Sequence, residues 1–496
     1  MEIETSIRPV LAIVVSLLAA GAILGFRRHA NLRDAVSVVA AVVKFLIVIS
    51  MASTVLAGGT FEITLFTILP GVDFAFRVDS LGMVFATISS LLWMAAAVYS
   101  IGYMRHLNEH AQTRFSLCFA VSLSAAIGGA FAANLFTLVI FYEILTLITY
   151  PLVYHKETDE SWHGGRRYLV YLMGASKTFL LAGLALTYQF AGTLDFKAAG
   201  LFNDSDLSSG LLTIIYLCYL AGFAKAAIMP FHAWLPAAMV APTPVSALLH
   251  AVAVVKMGVF CMLRLIFDVM GVRQMEELGL GTATAYLVSF TIIMASIYAL
   301  TRNDLKARLA YSTVSQLSYI ILGAALLSPT AIVGGVAHIP AHALSKITLF
   351  FCAGSIYCAS RRKNISDMAG IGRRLPWTMA AFFIGSLGMI GVPPSGGFIS
   401  KWYLVLGSVE AQELFFLVIL LASAVLNAAY FLPVSYTAFF EKEKDDRHMD
   451  VAASDIREIP LVTIPLVATA LLSLVMGVYP NYFLSLARGV AGGAVP

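Results

Sequence analysis

The sequence predicts an all-α membrane protein of about fourteen transmembrane helices, and three observations lead there. Of the 496 residues, 59% are hydrophobic and only 12% are charged, whereas a soluble domain carries roughly 25% charged residues. Mean hydropathy is +0.86. Apolar stretches recur along the whole chain, and at about 20 residues per span plus short loops the length holds roughly fourteen of them. Dividing the length into soluble domains is therefore the wrong arithmetic. No nucleic-acid partner is expected, and the lipid bilayer is the surrounding medium.

Taken in order, the predicted spans lie near residues 9–26, 35–57, 79–104, 114–132, 134–154, 167–190, 210–236, 241–267, 282–300, 305–327, 330–359, 376–408, 412–440 and 459–485. The first follows Glu2 and Glu4 rather than a basic region, so it is expected to be a retained span and not a cleaved signal. The short step from Ala132 to Asn134 makes its neighbours antiparallel. Loops after odd-numbered spans carry Arg and Lys in clusters, such as Arg27, Arg28 and Arg33, or Arg361, Arg362, Lys363, Arg373 and Arg374. Loops after even-numbered spans carry Arg77, Lys197, Arg264 and Arg273. Basic loops face the cytoplasm, so both termini are expected outside. Glu441 to Asp446 is a mixed-charge run and reads as a solvated loop.

Two spans read as broken. The seventh holds Lys225, Pro230 and Pro236, and the twelfth holds Gly391-Val-Pro393-Pro394-Ser-Gly396-Gly397 before Lys401. Proline removes an amide donor and kinks a helix, and lipid tolerates such a break only where protein or a wet cavity covers it. The breaks are five spans apart, and five is odd, so the second set enters the membrane from the opposite side. The expected organisation is residues 1–113 (helices 1–3 and an external loop), 114–267 (first five-helix repeat), 282–440 (second, inverted repeat) and 459–496 (helix 14 and an external C-terminus).

The chemistry lies in ionisable residues inside the spans. Lys44, Lys177, Lys225, Lys256, Lys346 and Lys401 are all there. A lysine at the bilayer centre costs roughly 2.5–3.5 kcal/mol, so such residues face a cavity or a partner and point to function. Glu143 reads as the only acid deep within a span. It is expected to pair with Lys225, which would load and release a proton as its partner moves; the bland alternative is an inert structural ion pair. His338, His342 and Lys346 follow at i, i+4 and i+8, on one helix face, and histidine suits a proton relay. Pro340 loosens that argument. The HxxxH spacing also fits zinc, but no nearby Cys, Asp or Glu completes a site, so no metal is expected. His250 and Lys256 differ by six residues and share an interior only if it is wide; His250 has the competing role of bonding a neighbouring helix. Lys401 is the last interior ionisable group and reads as the outer exit. Lys44 reads as packing or snorkelling. Asp304 reads as a helix cap. Cys118, Cys218, Cys261, Cys352 and Cys358 form no CxxC pair and read as small apolar fillers.

Several longer motifs point further. Phe231-His-Ala-Trp-Leu-Pro236, Ala241-Pro-Thr-Pro-Val-Ser-Ala-Leu-Leu-His250, the stretch Asp304 to Tyr319, His342-Ala-Leu-Ser-Lys346 and Gly391-Val-Pro-Pro-Ser-Gly-Gly-Phe398 resemble the proton-conducting antiporter-like subunit family. That family includes pump subunits of respiratory complex I, membrane-bound hydrogenases and Mrp-type cation/proton antiporters. The resemblance covers roughly residues 70 to 485. It implies fourteen helices, two inverted repeats, a Glu–Lys pair at Glu143 and Lys225, a central Lys256 and a terminal Lys401. It implies other membrane subunits as partners, protons and Na+ as transported ions, no cofactor on this chain, and a prokaryotic inner membrane. Ala237 stands where the family often has an acid, and Lys177 matches no family role. The end of the chain after helix fourteen resembles the Mrp D-type subunit or its hydrogenase counterpart. The expected function is proton translocation within a cation/proton antiporter, with a pump module of a redox complex as the alternative. An inert scaffold is a third possibility, disfavoured by six interior lysines against one acid.

Overall fold

Proline and short polar side chains open most of the long helices. Asp79, Asn134 and Asp304 accept hydrogen bonds from the amides of Gly82, Thr137 and Ala307 at 2.8, 2.8 and 2.7 Å. Each such cap stabilises by about 1 kcal/mol. Pro9, Pro329, Pro376 and Pro460 occupy first turns, where their missing N–H is not needed. The computed structural model describes residues 3–203, 207–442 and 456–494.

The chain begins with β1 (Ile3–Thr5), α1 (Arg8–Gly25), α2 (Ala30–Ile49) and α3 (Ala52–Leu56). Then come β2 (Thr60–Leu69), β3 (Val72–Val78), α4 (Ser80–His106), α5 (Gln112–Ala130) and α6 (Leu135–Val153). The sixth span is α7 (Asp159–Ala175) and α8 (Leu181–Ala191), joined by a π-turn at Ser176–Leu180. The seventh is α9 (Ser209–Gly222), an irregular stretch and the short α10 (Trp234–Ala237). The eighth is α11 (Thr243–Ala247), a π-turn at Leu248–Val252, α12 (Val254–Arg264) and a second π-turn at Leu265–Met270. There follow α13 (Val272–Glu277), α14 (Leu280–Leu300), α15 (Leu305–Ala325) and α16 (Pro329–Ser360). The chain closes with α17 (Pro376–Ile390), α18 (Gly396–Glu410), α19 (Leu414–Phe440), α20 (Pro460–Val478) and α21 (Asn481–Ala494).

Each predicted span overlaps helix, and among the described residues 11 helical stretches are long and apolar enough to cross a membrane. The two expected breaks are present, at Phe223–Ala233 and Gly391–Ser395. Four expectations change. The external loop before residue 79 is a three-stranded sheet, with β2 antiparallel to β3 and parallel to β1. Its turn is Pro70-Gly71, with Gly71 at φ +75, and Phe74 and Phe76 of β3 pack on Phe141. The last span stops at Val478, and a separate helix begins at Asn481. Arg264 lies within a helix, not a loop, where it ion-pairs with Asp79 and Asp268 at 2.6 and 2.8 Å. Asp268 is therefore a second acid inside a span. The charged run at 441–446 falls mostly outside the described residues.

Burial sorts the helices by their polar content. The stretch Thr243–Met270 is enclosed on all sides, and α16 nearly so, whereas only about a third of the residues of α2–α3, α7–α8 and α19 are buried. The exposed faces are apolar, and Leu18, Val170, Val425 and Ile464 are among their most exposed residues. This arrangement suits a hydrocarbon surround, where polar groups gather inside. The two innermost elements are those that carry His250, Lys256, His338, His342 and Lys346. Gly258 lets α12 approach the first break: a Cβ there would lie 2.1 Å from the Ala226 amide nitrogen.

Candidate functional site

The first break creates the setting of Lys225. Helix α9 ends at Gly222, and Lys225 lies in a 3-10 turn at Ala224–Ala226. It therefore sits inside the break, because the helix ends well ahead of Pro230. Its Nζ donates to the carbonyl of Tyr142 and lies 3.2 Å from the centroid of that ring. The Tyr142 hydroxyl accepts from the Lys225 amide at 3.2 Å.

Glu143 does not make the expected direct ion pair with Lys225. Consecutive residues on a helix point about 100° apart. With Tyr142 facing the break, Glu143 turns toward α7 and α8, where its Oε2 lies 3.5 Å from Lys177 Nζ. Lys177 stands on the π-turn between those helices, and its side chain is 52% exposed. The pair therefore lies at the periphery of this chain.

The central contact joins the two enclosed helices. Lys256 Nζ of α12 is 2.7 Å from His342 Nδ1 of α16, a separation normal for an N–H···N hydrogen bond. His342 Nε2 is buried without a partner. Helix α16 runs unbroken through Pro340, so His338, His342 and Lys346 keep helical spacing. They do not bond one another, however. His338 Nε2 donates to Gln316 Oε1 of α15 at 3.1 Å, and Nδ1 lies 2.8 Å from the Ser400 hydroxyl of α18. His338 also stacks on Tyr319, with ring centroids 5.5 Å apart.

Lys346 and His338 are linked by a side-chain route that the sequence did not announce. Lys346 Nζ donates to Ser312 Oγ at 2.9 Å. Ser312 accepts from Tyr430 at 3.1 Å, Tyr430 bonds Asn427, and Asn427 Oδ1 accepts from Gln316 Nε2 at 3.4 Å. Gln316 returns the path to His338. Ser312 and Gln316 are four apart on α15, and that spacing within the quoted motif was the available signal.

The second break holds Lys401. The last carbonyls of a helix lack intrahelical donors. Lys401 Nζ fills that need for α17, donating to Met389 O at 2.6 Å and Ile390 O at 3.1 Å. It lies 4.9 Å from the Tyr319 ring centroid, which connects it to His338. His250, on the π-turn at Leu248–Val252, is fully buried with both ring nitrogens unpartnered. The alternative role of bonding a neighbouring helix is therefore not seen. Lys44 is also buried, donating to Ser16 Oγ at 2.6 Å beside the Trp93 ring; it packs between helices and does not snorkel.

Two cavities bordered by charged side chains lie apart from the row. One of about 110 Å³ is bordered by Lys156, Glu160, Asp304, Lys306 and Lys363, and Lys306 donates to Met239 O and Ala241 O at 2.7 and 2.5 Å. Another of about 300 Å³ is bordered by Glu62, Arg77, Asp79, Arg264 and Asp268.

Broken helices, enclosed amines and imidazoles joined by hydrogen bonds, and an apolar outer surface define a polytopic membrane protein with a polar axis. Comparison with known proteins gives the family. The family described as NADH:quinone oxidoreductase/Mrp antiporter, TM, matches residues 132–427, and the N-terminal region of complex I chain 5 matches 70–116. The chain is 32% identical over 376 residues to NADH-quinone oxidoreductase subunit N of Desulforudis audaxviator, covering 73% of this chain and 72% of that one. It is 30% identical over 470 residues to an Na(+)/H(+) antiporter subunit of Alkalihalophilus pseudofirmus, covering 88% of this chain and 57% of that one. It spans about half the length of several other curated relatives. In a solved Mrp complex from Dietzia sp., one chain superposes with a TM-score of 0.86 at 20% identity, covering 99% of this chain and 98% of that one. This chain belongs to the NADH:quinone oxidoreductase/Mrp antiporter family of membrane subunits.

Proposed function

We propose that the protein is the proton-translocating subunit of a multisubunit cation/proton antiporter, with Na+ as the exchanged cation. The observation that carries this reading is the hydrogen-bonded contact between Lys256 and His342, which joins the two most enclosed helical stretches. A proton taken up on the cytoplasmic side passes Lys225 and Lys256, crosses by His342, His338 and Lys346 with water, and leaves near Lys401. His250 borders the same interior. Glu143 acts on Lys225 from a distance and faces a neighbouring membrane subunit, which fits its peripheral place beside Lys177. The inverted-repeat division at 114–267 and 282–440, the inner-membrane location and the outward termini belong to this proposal. In an assembled complex, Glu143→Ala and Lys225→Ala should each abolish transport, and near-normal proton flux in either would sink the scheme.

A second reading has its own support. The relative named as a subunit of NADH-quinone oxidoreductase is covered over 72% of its length, so a pump module of a redox complex is the alternative. Redox centres would then belong to partner subunits. Co-purification of the native complex decides between them: an iron–sulfur arm selects the redox pump, and only membrane subunits select the antiporter.

A further inference from the structure

Two connections on the basic-loop side meet outside the relay. The first, between α4 and α5, carries Glu109 and His110, and the second, between α6 and α7, carries His155. The ligand atoms offered by these three side chains all lie within 4.8 Å of one another. His155 Nε2 is 4.0 Å from Glu109 Oε2, and the His110 and His155 rings stack with centroids 4.7 Å apart. His155 is fully buried, yet neither ring nitrogen has a hydrogen-bond partner. A buried imidazole is ordinarily bonded, and nothing in the relay uses this one.

We propose that Glu109, His110 and His155 form a binding site for one divalent transition-metal ion of the zinc class. Two imidazole nitrogens and one carboxylate oxygen are a donor set that zinc accepts, with a fourth position left for water or another ligand. Calcium and magnesium call for oxygen donors instead. Zinc bonds of about 2.0–2.1 Å place tetrahedral ligand atoms about 3.4 Å apart. The measured separations close to that value by rotation of His110, which is half-exposed, and of Glu109 on its turn. Both ring nitrogens of the buried His155 are unpartnered, and Arg114 lies nearby, donating to the His155 carbonyl at 3.4 Å. Glu157 binds Arg114 at 2.6 Å and offsets that nearby positive charge. No spacing motif announces the site, because its ligands come from two loops 45 residues apart in sequence (His110 to His155). A bound ion would tie the end of α6, the helix of Glu143, to the α4–α5 connection.

The test uses the full chain in lipid nanodiscs, dialysed against buffered micromolar zinc. Metal per chain is read by mass spectrometry and the coordination by zinc-edge X-ray absorption. One ion per chain with an imidazole signature is expected. His110→Ala and Glu109→Gln should each weaken its retention by roughly 10- to 100-fold or more. His110 is half-exposed, so its loss does not threaten folding, and Glu109→Gln keeps the shape of that side chain; His155→Gln is read alongside a melting curve. Zinc held with unchanged affinity in the His110→Ala/Glu109→Gln double variant would place the ion elsewhere and overturn the proposal. A folded wild-type chain with no saturable zinc would overturn it equally.

Discussion

Replacing Lys256 by Met and His342 by Leu, singly and together, tests the central contact. Each change roughly preserves side-chain volume, so the effect read is polar and not a cavity. The contact is 2.7 Å long and lies between two buried side chains. When either partner carries the proton in transit the bond is charge-assisted, and such bonds contribute about 1.5–3 kcal/mol. That is roughly a 10- to 150-fold change in the occupancy of the bridging proton. Each single variant should therefore lose about one to two orders of magnitude of proton flux, measured by a pH-sensitive dye in vesicles holding the assembled complex. Because the two groups form one step, the double variant should lose little more than the worse single variant. A double-mutant coupling energy above about 1 kcal/mol is expected, as for residues in direct contact. Losses that simply multiply would show two independent sites and refute a shared step. Flux within twofold of wild type in either single variant would remove the contact from the pathway.

Lys177→Ala should lower transport several-fold with assembly intact, because it removes the 3.5 Å partner of Glu143; unchanged flux would mean that this pair is structural. Lys44→Met should leave flux within twofold, since the ammonium of Lys44 meets the Ser16 hydroxyl and the Trp93 ring and buried charges are often replaceable by apolar groups of similar volume; a tenfold loss would return it to the pathway. Asp79→Asn removes one carboxylate from the buried Arg264 while Asp268 remains 2.8 Å away. The expected cost is at or below the low end of the roughly 3–5 kcal/mol for breaking a buried pair outright, seen as a lower melting temperature, whereas Glu62→Gln, at the third-exposed pair with Arg77, should cost under about 1 kcal/mol. Equal losses in those two variants would contradict the reading.

The helices were legible because lipid demands long apolar runs, and the breaks because Pro and Gly punctuate two of them. The local geometry was not. Helix α9 ends at Gly222, and no residue between there and Pro230 marks the stop. The sheet before α4 had a signal in Pro70-Gly71 between two strand-like runs, but its apolar residues read as a connection in a sequence dominated by spans. The relay's lysines and histidines stood out because charge is costly in lipid. Their partners depend on rotation about each helix, and the three π-turns shift that rotation by a residue in ways that spacing does not reveal. Glu143 shows the consequence: it is next to the residue that binds Lys225 and yet meets Lys177. Ser312, Gln316, Asn427 and Tyr430 carry no such signal, because uncharged polar residues are common in interior helices without a transport role.

The partners of the interior lysines bear on how the row can work. Lys225, Lys346 and Lys401 meet carbonyls, a hydroxyl and aromatic faces, and Lys256 meets an imidazole. None of these partners is an anion. Two ammonium groups about 10 Å apart repel by roughly 1.7 kcal/mol at an effective dielectric of about 20, and each charge also bears the cost of leaving water. Holding every amine of the row charged at once would accumulate these penalties without a compensating acid, so the row favours few protons at a time. Adding a proton at one end then raises the cost of the next and favours release at the other. In the proposed scheme Glu143 is the carboxylate that biases that sequence. It lies at the edge of the chain, one residue from the carbonyl that holds Lys225. A neighbouring subunit that alters the charge near Glu143 would change how readily Lys225 accepts a proton without entering the pathway itself.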